Sequence, residues 1–363
     1  MTATRLSFGS SIGKRAAVVF GTALVAGTGS ALAQETPGTL QEIVVTAQRH
    51  EQNVQDVPIS VSAISGERLA AMFEGAGDIR ELATRVPSLY AESSNGRLAP
   101  RFYIRGLGNT DFDLAASQPV SIIVDDVVLE NVVLKSFPLF DIDRVEVLRG
   151  PQGTLFGRNT PAGIVKFDTV KPKSGFDGDV GLSYGELGTT TVQGAIGGGS
   201  DRVSGRVSVL YHQRDDYIDN NAPVTPLTNT PAGKDAMGGF EEYAYRAQVL
   251  LSPSDDLSFL FNIHGREMSN GTAAIFRANV LGPGSDGFNS NYDRDSVTFD
   301  QGGNNPQEAS GLGASLKIDW TFGNNITLTS VSAWESTDDK SKGDIDGGYG
   351  ADFLPPAVSP EGP

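Results

Sequence analysis

The sequence predicts an α+β domain followed by about seven antiparallel strands, an incomplete portion of a transmembrane β-barrel. Three observations predict this. From about residue 177 onward apolar and polar residues alternate strictly, the period of a strand with two unlike faces. The later connections between those segments run short, long, short, long, short, the loop pattern of outer-membrane barrels. Outside the N-terminus no window approaches ~18 consecutive apolar residues, so a membrane crossing has to use strands.

In chain order, Arg5, Lys14 and Arg15 precede the apolar run Ala16 to Gly27, and Ala31-Leu32-Ala33 comes before Gln34. This is the order of a secretory signal peptide over residues 1–33, with cleavage expected after Ala33. Removing it takes away three basic and no acidic side chains, so the formal net charge of −16 becomes about −19. A nucleic-acid ligand is not expected, because neutralising phosphates requires clustered Lys and Arg. There is no cysteine. An exported chain without disulfides must be held by sheet pairing and packing.

Residues 34–41, Gln-Glu-Thr-Pro-Gly-Thr-Leu-Gln, are polar and turn-rich, and a mobile tether is expected over 34–49. Within it, Glu42-Ile43-Val44-Val45-Thr46-Ala47 is a short β-prone run able to add to the edge of a sheet. Residues 50–172 read as one α/β unit of short elements. Val57 to Ile64 alternates as a strand, and Asp78 with Glu81 has the spacing of a capping box before a helix that Pro87 ends. Arg101 to Gly108 and Val120 to Leu129 supply further strands. The 25 residues Asp141-Ile-Asp-Arg-Val-Glu-Val-Leu-Arg-Gly-Pro-Gln-Gly-Thr-Leu-Phe-Gly-Arg-Asn-Thr-Pro-Ala-Gly-Ile-Val165 run a charged strand into a glycine-punctuated turn and out into an apolar strand.

That last segment resembles the central signature of the plug domain of TonB-dependent outer-membrane receptors. The Ile104-Arg105-Gly106 and Val124-Asp125-Asp126 strands fall where that family has similar ones, and Glu42 to Ala47 looks like its TonB box. The resemblance implies a plug over 50–172, a periplasmic tether, and nutrient import driven from the inner membrane. Arg105, Asp125, Asp126, Asp143, Arg144, Glu146, Arg149 and Arg158 fall at strand ends or beside glycine turns, and burial in a barrel lumen would force them to pair. The resemblance implies pairing between plug and barrel, for which Arg105, Arg144, Glu146, Arg149 and Arg158 are the candidates. Gly106, Gly150, Gly153, Gly157 and Gly163 are expected at turns where backbone packs closely.

Residues 173–363 are assigned to the barrel, with strands near 177–186, 189–197, 202–213, 242–252, 257–267, 310–321 and 325–335. The later tight turns fall at Gly198 to Asp201, Pro253 to Asp256 and Gly323 to Asn325, and long polar loops at about 214–241 and 268–309. Tyr184, Tyr211, Tyr243, Trp320, Phe322 and Trp334 suit aromatic girdles at the membrane interfaces. A receptor with a plugged lumen needs about 22 strands. The chain therefore reads as the N-terminal part of a receptor.

Enzymatic chemistry finds little support. His50, His212 and His264 lie far apart without ligand-type spacing, so no metal site is assigned. Gly157 is followed by Arg158-Asn159 where a P-loop needs Lys and a hydroxyl residue, and no cofactor is expected. The reading is an energy-coupled outer-membrane receptor of a Gram-negative bacterium, with the TonB protein, outer-membrane lipid and a small-molecule substrate as partners. A ferric siderophore is the preferred substrate, and no substrate-contacting residue is assigned. The alternative is a porin-like or structural barrel fragment that uses no energy.

Overall fold

In the computed structural model of the chain the described residues are 2–9, 44–46, 49, 52–73, 77–111, 113–222, 233–277, 292–299, 303–323, 326–345 and 347. The cleavage point after Ala33, the polar stretch 34–41, and Glu42, Ile43 and Ala47 lie outside them. Of the expected leader, Thr2–Gly9 (β1) is described, as an extended strand.

The first unit contains β2 (Val44–Val45), β3 (Gln52–Asn53), β4 (Ser60–Ser65), helix α1 (Gly66–Met72), a 3-10 helix at Ile79–Thr84, β5 (Leu89–Glu92) and β6 (Arg101–Ile104). It continues through β7 (Val120–Val124), β8 (Val127–Leu129), β9 (Ile142–Arg149), the one-turn helix α2 (Gly153–Phe156) and β10 (Gly163–Thr169). Strands β4, β9, β10, β7 and β8 form a five-stranded sheet in that order, with β10 parallel to β7 and the other pairs antiparallel. Alternation along the strands divides two cores. One face carries Val120, Ile122, Val145, Val147, Val165 and Phe167 against α1, the 3-10 helix and the β5–β6 hairpin. The other carries Ile123, Leu148 and Ile164 against Phe156, Val57 and Val45. Each side chain so buried contributes about 1.5–3 kcal/mol.

Two sequence readings need correction here. Val120 to Leu129 is a hairpin, not one strand, because Asp125 and Asp126 both take positive φ, 49° and 69°. That pair of left-handed residues makes the tight turn whose twist suits two antiparallel strands, and Asp tolerates it. The Asp78 segment is a 3-10 helix, and its cap is Asp78 Oδ1 accepting from the Arg80 amide at 2.9 Å.

The second unit holds β11 (Asp177–Tyr184), β12 (Thr190–Gly199), β13 (Val203–Arg214), β14 (Ile218–Asn220), β15 (Gly233–Met237) and β16 (Phe240–Ser254). Then come β17 (Leu257–Thr272), β18 (Ser296–Val297), β19 (Pro306–Phe322) and β20 (Ile326–Ser341). Seven of these, β11, β12, β13, β16, β17, β19 and β20, pair as successive antiparallel neighbours, and β1 pairs along β11. The sheet is open, with β1 and β20 at its edges.

The sheet is inside-out relative to a soluble protein. In β13, Val207 and Val209 are each 50% exposed, whereas Ser208 is 2% and Arg206 5% exposed. Val180, Leu182, Tyr245, Ile263, Leu312 and Trp320 extend the exposed apolar face, and the polar face lies buried against the first unit. From Leu312 to Phe322 the strand rises about 34 Å, or about 24 Å of depth at a 45° tilt, the height of a membrane barrel's apolar band. Tyr211 and Tyr243 face each other near one rim, ring centroids 4.8 Å apart, and Trp320 and Phe322 lie near the other, 5.2 Å apart. Trp334 does not fit a girdle: it sits opposite Ala314, in mid-sheet.

The described parts of the long loops form secondary structure of their own. Strands β15, β14 and β18 form a separate sheet, in which β14 and β18 bring the two loops together in parallel. Ile218, Met237, Val297 and Phe299 make its core.

Candidate functional site

Where the sheet curves against the first unit, Asp126 and Asp141, both at left-handed positions, meet basic side chains of the wall, and a third left-handed aspartate, Asp125, lies beside them. Asp141, with φ 52°, receives two hydrogen bonds from Arg206, Nε to Oδ2 at 2.7 Å and Nη2 to Oδ1 at 2.6 Å, and another from Ser208. Arg206 also donates to Asp177 at 2.8 Å and lies 3.6 Å from Asp179. Asp126 accepts from Lys317 Nζ at 2.8 Å. Asp125 accepts from the Thr169 amide and hydroxyl and from Lys171, while Gln248 on the wall donates to the same Thr169 hydroxyl at 3.0 Å. Burial pushes the Asp125 carboxyl up, but Lys171, Arg246 and its hydrogen bonds outweigh that and bring it down to about 2. Each turn thus projects one carboxylate to the wall without requiring a long flexible side chain.

The outer end of the unit is clamped as well. Gln307 Nε2 donates to the Asn95 carbonyl at 2.8 Å, and its Oε1 accepts from the Arg97 amide at 3.2 Å. The Arg97 guanidinium stacks 3.7 Å from the centre of the Phe240 ring. Between these contacts lies a cavity of about 240 Å³ bordered by Arg97, Asp141, Arg206, His212, Glu242 and Arg266. Buried oxygens of Thr191, Glu242, Gln248 and Asn262 on the wall make no hydrogen bond within the described residues. The apposition is polar, of the kind that can separate without exposing a large apolar core.

The residues expected to pair with the wall mostly pair elsewhere. Arg144 contacts Glu146 at 3.2 Å and Asp168 at 3.1 Å. Arg149 donates to the Pro87 carbonyl and to Ser60 and Ser62, and Arg158 approaches Glu130 at 3.9 Å. Arg105 is exposed, and its amide donates to the Ser88 carbonyl. All these described partners belong to the first unit. Asp126, also among the charges expected to pair, does reach the wall, and so do Asp141, Asn95, Arg97, Ser136 and Phe140, of which Ser136 accepts from Arg266 and Phe140 from Arg246. Sequence charge alone did not separate these sets. The available signal was the Asp-Asp turn.

The expected turn glycines lie at element ends, Gly106 after β6, Gly150 after β9, Gly153 opening α2, Gly157 closing it and Gly163 opening β10. The expected close packing is found only at Gly163, since a Cβ added at Gly106, Gly150 or Gly157 would meet nothing within 4 Å. Gly157 has φ 81° and ψ −162°, a region that is essentially glycine's alone.

The segment Val44 to Thr46 is docked. Val45 pairs with Gln52 and is fully buried against the second core, which corrects the expectation that this position lies in a mobile tether outside the packed domain. Thr46 is held by charge. Its amide donates to Glu146 Oε1 at 2.7 Å, and its hydroxyl accepts from Lys166 Nζ at 2.7 Å. Lys166 also donates to Asp168 at 2.6 Å. Arg144, Glu146, Lys166 and Asp168 are cross-strand partners on β9 and β10, Lys166 opposite Glu146 and Asp168 opposite Arg144. Burial raises the Glu146 carboxyl, only partly countered by the Thr46 amide and Lys166.

The comparisons with known proteins point one way. Residues 53–164 match the TonB-dependent Receptor Plug Domain family. The chain is similar to the ferric aerobactin receptor of Klebsiella pneumoniae, 28% identical over 215 residues, which cover 56% of this chain and 27% of that receptor. It is similar to the iron-regulated outer membrane virulence protein of Vibrio cholerae, 31% identical over 160 residues, covering 42% of this chain and 24% of the relative. The chain thus spans less than a third of the length of these relatives. In fold it matches the crystal structure of the ferric yersiniabactin uptake receptor FyuA from Yersinia pestis with a TM-score of 0.65 at 20% identity, over 78% of this chain and 41% of that one. The closed form of the ferric-catecholate import receptor Fiu from E. coli K12 matches with a TM-score of 0.61 at 18% identity, over 80% and 38%.

Proposed function

We propose that the chain, whose residues 53–164 match the plug-domain family, is part of a TonB-dependent receptor that acts in energy-coupled import of a ferric siderophore across the outer membrane. The observation that carries this reading is the plug seated by polar contacts on the buried face of a sheet whose other face is apolar and exposed. Lipid takes the apolar face, and the polar seat makes movement of the plug feasible. The names of the relatives favour iron over other cargoes, since the aerobactin and yersiniabactin receptors carry ferric siderophores in theirs.

In this proposal Glu42 to Ala47 is the coupling segment, captured in the periplasm by the TonB protein through strand addition. Docking sets the order of events. The segment must leave Gln52 and Asn53 before it can pair with another strand, losing the burial of Val45, about 1.5–3 kcal/mol, and the Thr46 contacts. A two-residue bridge is short enough for that exchange.

Val45→Pro tests the coupling role. Proline removes a backbone donor and fixes φ, so it breaks pairing with an added strand. It also loosens the segment's docking on the plug, because proline cannot supply a backbone donor to the pairing of position 45 with Gln52. Capture of the chain by an immobilised periplasmic domain of TonB is expected to fall at least about tenfold, the loss of about 1.4 kcal/mol or more. If undocking alone governed capture, the variant would bind better than the parent. Undiminished capture would remove the segment from the mechanism.

The membrane placement is tested by fluorescence. The chain has two tryptophans, and both lie exposed on the apolar face, Trp334 in mid-sheet and Trp320 toward the tight-turn rim. In vesicles with bromine at mid-acyl positions, emission should be strongly quenched, and Trp334→Phe should remove most of that quenching. Emission indifferent to the bromine position would place this face outside lipid.

A further inference from the structure

We propose that Lys317, on the barrel wall, is a positioning residue for the coupling segment: by occupying Asp126 it leaves Lys166 free to hold Thr46 and Asp168. This rests on the reading of residues 42–47 given above. The clasp on Thr46 is made by two acids and two bases from neighbouring strands, and Lys166 is its centre, bonded at once to Thr46 and Asp168. The β7–β8 turn lies beside it, since β7 runs parallel to β10 with Val124 opposite Phe167, and the Asp125 amide donates to the Phe167 carbonyl at 3.0 Å. Asp126 is therefore an anion next to the rung that bears Lys166 and Asp168.

Lys317 keeps that anion occupied. Its Nζ is 2.8 Å from Asp126 Oδ2, with both side chains partly buried. Burial pushes the Asp126 carboxyl up, but Lys317 first, then Lys166 and Arg49, outweigh it and hold the group below the ordinary carboxylate range. Among the described residues, the cations that act on Asp126 after Lys317 are Lys166 and Arg49. Without Lys317, Asp126 would compete with Asp168 and Thr46 for one ammonium, and the clasp would loosen. The same strand, β19, also carries Gln307, which clamps Asn95 and Arg97 of the outer plug loop. One strand of the wall thus touches the plug both near Asn95 and Arg97 and beside the coupling segment, about 34 Å apart along the strand.

The absence of cysteine makes the test clean. Val45→Cys places a thiol at a fully buried position of the segment, and Ala162→Cys places one, in a separate protein, in the buried core of the plug. Labelling rates with a thiol reagent are measured on the full chain in detergent micelles. Lys317→Met should accelerate labelling at position 45 by about two- to thirtyfold, the range that substitutions within a coupled network reach, and leave position 162 unchanged. Lys317→Arg should stay slow. Adding Asp126→Asn to Lys317→Met should restore slow labelling, because the competitor for Lys166 is then gone, an outcome that loss of a merely structural contact does not give. No acceleration at 45, equal acceleration at both positions, or failure of Asp126→Asn to restore protection would each overturn the proposal. Labelling reports docking whatever partner captures the segment, so failure of the coupling role itself would show only in the TonB capture of Val45→Pro.

Discussion

Arg206→Met is expected to unseat the plug from the wall, at a cost of about 3–5 kcal/mol, the penalty for breaking a buried ion pair by removing one partner. Arg206 is 5% exposed and is shared among Asp141, Asp177 and Asp179. Methionine fills much the same volume but leaves three carboxylates facing one another, two of them on the wall and one on the plug. The repulsion acts across the interface, so the loss falls on docking more than on either unit alone. Trypsin cutting at Lys173, in the connection between the two units, followed against urea concentration, reads the release. Arg206→Lys keeps the charge without the two-pronged geometry and should fall between parent and Met. A release midpoint unchanged in the Met variant would mean that the plug is held by the outer clamp at Gln307 and by Lys317, with Asp141 incidental.

Gly163→Ala should damage the plug from within. Gly163 opens β10 at φ +146°, and a Cβ there would lie 2.2 Å from the Leu148 carbonyl oxygen and 2.9 Å from Ile104 Cδ1. Backbone strain of about 1–3 kcal/mol adds to overpacking of similar size, and the neighbour is main chain of the adjacent strand, which cannot turn aside. Gly150→Ala is the control. Its φ is +97°, but nothing lies within 4 Å of the added methyl, so only the backbone term applies. Hydrogen exchange of β9 and β10 amides should show protection lost in the first variant and largely kept in the second. Equal loss in both would assign the effect to φ alone.

The strands of the large sheet were legible because one requirement, an exposed apolar face and a covered polar face, is imposed on every second residue. Val203 to Tyr211 shows the rule directly, and the observed strands exceed the expected ones mainly at their loop ends. The charges of the signature were not legible in the same way. Arg144 and Glu146 are two residues apart on one strand, so the sequence shows that they share a face but not what covers it. The answer depends on register, which sets Lys166 and Asp168 directly opposite them. The wall contacts depend on Asp126 and Asp141, whose significance lies in a left-handed backbone that no alternation pattern reveals. Val45 misled for another reason: six residues of β-prone sequence in polar surroundings suit a free strand, and only the pocket formed by Leu148, Phe156 and Ile164 shows where it rests.

The small sheet built from β14, β15 and β18 bears on how such a chain can change over generations. Surface loops usually vary one at a time, each insertion tested on its own. Here the pairing of Asp219 with Ser296 and Asn220 with Val297, and the bond from Asn220 to the Phe299 carbonyl 79 positions on, make two loops distant in sequence a single inheritance. A segment transplanted from a relative into 214–241 alone would arrive without its partner. Recombination that replaces both loops at once keeps a matched sheet, which stepwise substitution in either one does not.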